Sequence, residues 1–277
     1  MMRQMHKRLV TAVVVATLGA VLVLPGQREA EAFSTVDLNE QLVMATLWMQ
    51  TSAEYRALCH QTFNWARLNL QAFLSYYQGG KPVAVIVDVD ETVIDNSAYE
   101  GFLIGNDFGY SSKTYVPWMA AAQAEAIPGA LEFLTYAKDK GVEIFYVTNR
   151  KMVGYDDTVK NLTALGFPYV DQKHLLLRTD TSDKQPRRDI VAADYEVAFL
   201  MGDNLNDFES VFAKRSVAER FTLVDDRKAK WGSKFIVLPN PRYGEWEGAM
   251  YSYNYGASAA EKDKMRKELL KRWDYQP

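Results

Sequence analysis

Three short apolar runs constrain this chain most, because each ends abruptly in a cluster of polar side chains. Pro82 to Val87 is rich in β-branched residues and stops at Asp88, with Asp90 two residues on. Val142 to Thr148 is followed by Asn149 and Arg150. Val197 to Met201 runs into Gly202-Asp203-Asn204-Leu205-Asn206-Asp207. Runs this short and apolar read as strands buried on both faces of a parallel sheet. Such sheets bind ligands outside the carboxyl ends of their strands. Carboxylates at the rim of a core are costly unless paired or bound to metal. Asp88 and Asp90 therefore call for a role. The first can act as a nucleophile, the second as an acid or base, and together they can hold a cation. An Asp-x-Asp pair alone is also what a strand leaving the core into a polar loop looks like. The three ends taken together, with Lys184 in a polar loop between the second and third, favour the chemical reading.

Strands and helices alternate from residue 82 to about residue 214, the pattern of a doubly wound α/β fold with a mostly parallel sheet. Ahead of it, residues 37–78 read as two helices, with Leu38, Leu42, Ala45 and Trp48 at helical spacing. Thr51-x-x-Glu54 fits a capping box that restarts the helix. Gly79-Gly80 ends it. Pro128-Gly129 opens a helix that closes near Gly141. Phe235 to Leu238 is a further strand candidate. Ser258-x-x-Glu261 begins a last helix with Met265, Leu269 and Trp273 on one side. The segments 33–80 and 241–277 are expected to pack together as a small helical subdomain beside a core of residues 81–240.

Composition is that of a globular protein, 48% hydrophobic and 24% charged over 277 residues. Residues 1–32 read as a signal peptide. Arg3, Lys7 and Arg8 precede an apolar stretch from Leu9 to Leu24, and Ala30-Glu31-Ala32 offers small residues for cleavage after Ala32. The stretch is short for a membrane span, though a retained anchor is the competing reading. Removing residues 1–32, with four basic and two acidic side chains, takes the formal charge from −3 to −5. Nothing in that balance suggests a nucleic-acid polymer as partner. The single cysteine, Cys59, excludes an intrachain disulfide and reads as a small buried apolar residue.

The order Asp88-x-Asp90, Thr148, Lys184, Gly202-Asp203 with Asp207 resembles the four motifs of the haloacid dehalogenase superfamily of phosphatases. More narrowly, Trp48-Met49-Gln50-Thr51-Ser52-Ala53-Glu54-Tyr55 and Pro239-Asn240-Pro241-Arg242-Tyr243-Gly244-Glu245-Trp246-Glu247 resemble the flanks of class C acid phosphatases of the outer-membrane 5′-nucleotidase lipoprotein type. The resemblance covers nearly all of the chain after the leader and implies a Rossmann-like core. It departs in one respect: no cysteine follows the apolar stretch to carry a lipid. The expectation is a periplasmic or secreted protein without stable membrane insertion after cleavage. A homodimer is implied by the resemblance alone.

The resemblance implies hydrolysis of phosphate monoesters, among the most inert of biological bonds. Asp88 is the expected nucleophile, forming an aspartyl-phosphate. Asp90 is the expected general acid and then base, since close carboxylates push each other's pKa values apart. Mg²⁺ is the expected cofactor, held by Asp88, Asp203 and the backbone carbonyl of Asp90. Asp207 and Asn204 are expected to support the metal's waters, or, for Asp207, Lys184. Thr148, the Asn149 amide and Lys184 would hold the phosphate. Arg150 could serve the phosphate or pair structurally. Arg187 and Arg188 fall on the following helix and compete only weakly with Lys184. Trp118 and Tyr243 are expected to wall a nucleoside pocket, which points to 5′-nucleotides as small-molecule substrates. The alternatives are phosphotransfer to an alcohol on the same site, or a non-catalytic exported protein that binds nucleotide or haem.

Overall fold

Five parallel strands form the centre of the fold, and the chain's apolar runs supply three of them. A computed structural model describes residues 33–276. The expected signal peptide and its cleavage after Ala32 lie outside the described residues. Three helices come first: α1 (Thr35–Glu40), α2 (Val43–Thr51) and α3 (Ala53–Tyr76). Strand β1 (Val83–Val87) leads to a two-residue strand β2 (Ile94–Asp95), helices α4 (Ser97–Leu103) and α5 (Ser112–Ala121), and β3 (Glu125–Ala126). Then follow α6 (Ala130–Asp139), β4 (Glu143–Lys151), α7 (Tyr155–Ala164), β5 (Leu175–Arg178), α8 (Gln185–Asp194) and β6 (Glu196–Gly202). The chain closes with α9 (Val217–Asp225), β7 (Phe235–Val237), α10 (Glu245–Met250) and α11 (Ala259–Glu268).

The main sheet has the order β5-β4-β1-β6-β7, all parallel. The chain builds outward from β1 through β4 to β5, then crosses to β6 and β7 on the other side. That reversal of direction opens a crevice at the carboxyl end of β1, where doubly wound sheets bind ligands. β1 is buried throughout, with Val83, Val85 and Val87 facing one layer and Ala84 and Ile86 the other. The first layer is the larger. Helix α3 buries Tyr55, Cys59, Phe63, Ala66, Leu70 and Phe73 at spacings of three and four, the signature of one apolar helix face. Phe63 meets Phe133 of α6, which meets Phe199 of β6. Each such side chain contributes about 1.5–3 kcal/mol by leaving water. α8 covers the opposite face through Val191. The two terminal segments touch: Gln41, at the end of α1, bonds Asp263 and Arg266 of α11 at 2.6 and 2.8 Å.

Four details differ from the sequence reading. The N-terminal segment holds three helices, not two. Ser52, not Thr51, caps α3: it is extended and accepts from the Tyr55 amide, while Thr51 donates back to the Leu47 carbonyl. β4 continues past Thr148 to Lys151. α11 ends at Glu268 and buries none of its side chains, and Leu269 and Trp273 lie beyond it, exposed. Its contact with α1 is polar, so no apolar stripe was needed there.

Candidate active site

The polar clusters that follow the apolar runs meet at one point. Asp88 comes directly after β1, its amide donating to the Met201 carbonyl of β6 at 3.0 Å. Lys184, the residue that caps the start of α8, places its Nζ 2.6 Å from Asp88 Oδ1 and 2.6 Å from Asp207 Oδ1. Asp207 sits one turn past β6, and its Oδ2 accepts from the Asn204 amide at 2.9 Å. It packs against the bare backbone of Gly202, where any Cβ would collide with its carboxylate. Glycine is therefore required at the end of β6 by close approach. Asp203 accepts from Asn240 Nδ2 at 2.8 Å and from Thr92 Oγ1 at 3.3 Å.

One carboxylate oxygen each from Asp88, Asp203 and Asp207 lie within 4.8 Å of one another. Burial pushes the Asp88 carboxyl up to about 7, against the pull of Lys184 and with the charges of Asp207 and Asp90 adding to the rise. Burial, then Asp207 and Asp88, hold Asp203 well above the ordinary carboxylate range. Three carboxylates thus converge with one ammonium, which Asp88 and Asp207 share, while Asp203 has only neutral donors. A hard divalent cation fits this oxygen set, because it supplies the missing positive charge.

Asp90 is turned toward a different set of partners. Its carboxylate accepts from Arg150 Nε and Nη2 at 3.0 and 2.8 Å, from Tyr115 Oη at 2.8 Å and from Asn96 Nδ2 at 2.9 Å. Burial alone would raise it, but the Arg150 guanidinium and these donors hold it below the ordinary value. Asp90 is ionised in this arrangement, and its carboxylate faces Arg150 instead of joining the other three aspartates. Trp118 reinforces the same device, donating from Nε1 to Asn96 Oδ1 at 2.9 Å. The Trp118 ring packs against the core and is not among the residues that line the cavity.

Thr148 is fully buried, its hydroxyl accepting from the Arg150 amide at 3.1 Å. Asn149 beside it is exposed to the cavity. Arg187, set aside in the sequence reading, grips this turn: its guanidinium donates to the Thr148 carbonyl and, at 2.8 Å, to Asn149 Oδ1. Arg188 is also buried, but it donates to the carbonyls of Asn206 and Asp207. Neither arginine replaces Lys184; each props a loop that carries site residues.

Asp88, Asp90, Lys184, Asp203 and Asp207 open into a cavity of about 770 Å³. Tyr110, Tyr115 and Tyr243 form aromatic parts of its wall. The Tyr243 hydroxyl reaches Glu91 Oε2. Glu91 is wholly buried, sits at φ 54 and pairs with Arg242 Nη2 at 2.6 Å. A left-handed backbone costs a non-glycine residue about 1–2 kcal/mol, and the contacts of Glu91 with Arg242 and Asn96 hold it in that conformation just after Asp90. Sequence reading missed Asn96, Tyr115, Asn240 and the Glu91–Arg242 pair. Only the density of aromatics around Trp118 hinted at Tyr115.

The family model described as HAD superfamily, subfamily IIIB (Acid phosphatase) matches residues 8–246. Two solved structures of the class C acid phosphatase from Bacillus anthracis, one with tungstate bound, are each 43% identical to the chain. Each match covers 86% of this chain and 99% of the other, with a TM-score of 0.82. Phosphatases of this superfamily use a divalent metal, and the three convergent aspartates provide a site for one. The chain belongs to the subfamily IIIB acid phosphatases of the HAD superfamily, and it is a phosphomonoester hydrolase of the class C type.

Proposed function

We propose that the protein is an exported, Mg²⁺-dependent acid phosphatase that hydrolyses 5′-nucleotides through an aspartyl-phosphate. The observation that carries this reading is the meeting of Asp88, Asp203 and Asp207 around Lys184 at the carboxyl ends of β1 and β6. Asp88 Oδ attacks phosphorus, and the ester oxygen leaves with a proton from Asp90. Asp90 then takes a proton from the water that attacks the aspartyl-phosphate, and Asp88 is regenerated. Lys184 holds Asp88 in place and balances charge on the phosphoryl group. Asp88, Asp203 and the Asp90 carbonyl would hold the cation, with Asp207 and Asn204 supporting it. A Mg²⁺ ion held there would screen the nucleophile from the phosphate and polarise the phosphoryl oxygens.

The acid step needs a proton on Asp90, which is ionised against Arg150 in the resting arrangement. The negative charge of a bound phosphate opposes that of Asp90 and favours its protonation, as does an acidic medium. The Asn149 amide is assigned to the phosphate, and Thr148, whose hydroxyl is wholly buried and accepts from the Arg150 amide, supports it by fixing the turn. Tyr243 remains a wall of the substrate pocket, and Tyr110 and Tyr115 take the place proposed for Trp118, because they line the cavity. Their ring faces suit a nucleobase. No described helix is long and apolar enough to cross a membrane, and export rests on the leader sequence alone. A homodimer rests on the family resemblance alone.

The test is phosphate release from a panel of 5′-nucleotides and an aryl phosphate, followed by acid quench with labelled substrate. The reading expects nucleotides to lead the panel and label to be recovered on the peptide that contains Asp88. Label on another residue would remove Asp88 as the nucleophile, and none during rapid turnover would count against the covalent step. An aryl phosphate far ahead of every nucleotide would remove the substrate assignment.

A further inference from the structure

The loop after β7 ties together two segments of the site that are far apart in sequence. The Leu238 amide donates to the Gly202 carbonyl at 2.9 Å, which brings the loop alongside the end of β6. Asn240 Nδ2 then donates to Asp203 Oδ2 at 2.8 Å. The other side of that amide is fixed as well, because Asn240 Oδ1 accepts from the Arg242 amide at 3.1 Å. Arg242 donates from Nη2 to Glu91 Oε1 at 2.6 Å. Thr92, the next residue, completes the circuit by donating to Asp203 Oδ1 at 3.3 Å. The result is a closed ring of contacts through Asp203, Asn240, Arg242, Glu91 and Thr92.

Within that ring Asp203 has no cationic partner, and its own acceptor sites are held by two neutral donors. Asn240 makes the shorter bond of the two. A carboxylate with one oxygen pinned cannot rotate freely, so its ligating lone pairs keep one direction. Outer partners of this kind set the orientation of metal ligands, and their loss typically lowers metal affinity by about 10–100-fold. We propose that Asn240 is a positioning residue for the divalent cation: its amide orients Asp203, and the Arg242–Glu91 pair anchors the loop that carries it. The assignment rests on the reading of Asp203 as a metal ligand. Asn240 does not line the cavity, and its effect passes through Asp203.

Two variants separate donor from turn. Asn240→Ser can still accept from the Arg242 amide and preserve the turn, but its hydroxyl is too short to reach Asp203. Asn240→Ala loses both bonds. The parent and both variants are titrated with Mg²⁺ and with Mn²⁺ by calorimetry, and the metal-free proteins are melted alongside. The expected result is binding by the parent, with affinity lowered about 10–100-fold in both variants. The cation concentration for half-maximal turnover should rise by a similar factor. Metal-free Asn240→Ser should melt within about 4 °C of the parent, which corresponds to about 1 kcal/mol. Binding by Asn240→Ser within about twofold of a cation-binding parent, well below the expected loss, would overturn the assignment of Asn240 alone. If only Asn240→Ala were weakened, the turn and not the amide donor would be responsible, which also overturns it. A parent that binds no divalent cation would overturn the metal reading itself.

Discussion

The sheet carries a charged cluster at each end of its strands, and the two are built on opposite principles. At the amino ends, Glu143 begins β4 and accepts from Lys173 Nζ, His174 Nε2 and Tyr195 Oη at 2.7, 2.7 and 2.8 Å. Asp171 takes the other ring nitrogen of His174 at 2.8 Å. Burial opposes ionisation of Glu143, but its three donors win and hold the carboxyl at about 2. At the carboxyl ends, Asp88 and Asp207 share Lys184, Asp203 beside them has no cation, and burial drives Asp88 up to about 7. The first cluster satisfies its own charge. The second has more carboxylate than cation and is deeper in the protein. Asp90 stands between the two types, buried but matched by Arg150. A carboxylate that is fully matched stabilises the fold, whereas a group of under-matched carboxylates is suited to a cation and an anionic substrate.

Substitutions at the two ends should therefore differ in kind. The largest effect is expected for Asp88→Asn, which should lower turnover by at least about 10³-fold, since it removes the proposed nucleophile. Its metal-free form should melt no lower than the parent. Substantial retained turnover would show that the under-matched end is not where chemistry occurs. Arg150→Met should come next, with turnover reduced about 100-fold, the lower end of what general acid–base catalysis supplies, because Asp90 loses the group that holds its carboxylate in place even though it becomes easier to protonate. The loss should be greater for nucleotides, whose alkoxide leaves poorly, than for an aryl phosphate. Equal losses for both leaving groups would reduce Arg150 to a structural support.

Stability gives the sharper contrast. In metal-free protein, Asp203→Asn removes a buried carboxyl that has no cationic partner and whose ionisation burial opposes, and should raise the melting temperature at pH 7 by a few degrees, about 1 kcal/mol. Glu143→Gln removes a matched charge and should lower it. Shifts of the same sign would break the comparison. The Glu143 deficit should also depend on pH. Because the folded value lies near 2, below the ordinary 4.5, the stability it contributes is fully present above about 4.5 and is lost as pH falls through about 2. Melts of parent and Glu143→Gln should differ at pH 6 and converge near pH 2. A difference that persists at pH 2 would assign the effect to packing instead of charge.

Much of the second cluster was legible in the sequence. Asp88, Asp90, Thr148, Asp203 and Asp207 each follow or end an apolar run, so strand geometry alone brings them to one rim. Lys184 was legible from its loop between two such runs. The partners that hold them were not. Asn240 lies 37 residues from Asp203, Arg150 lies 60 from Asp90, and Arg242 lies 151 from Glu91. No local periodicity reports contacts of that range. Trp118 shows the limit from the other side. An aromatic near a site can stack on a ligand or brace a catalytic carboxylate, and only the fold shows its Nε1 bound to Asn96. Helix count failed at α1 and α2 for a simpler reason: a two-residue break leaves the apolar spacing almost intact.

The most direct measurement is phosphate release from a 5′-nucleotide by the chain before and after EDTA, with Mg²⁺ then restored. Release that EDTA abolishes and Mg²⁺ recovers, and that Asp88→Asn lacks throughout, is the predicted result. Undiminished release in EDTA, or equal release by Asp88→Asn, would contradict the account of the under-matched aspartates as a metal-assisted hydrolytic centre.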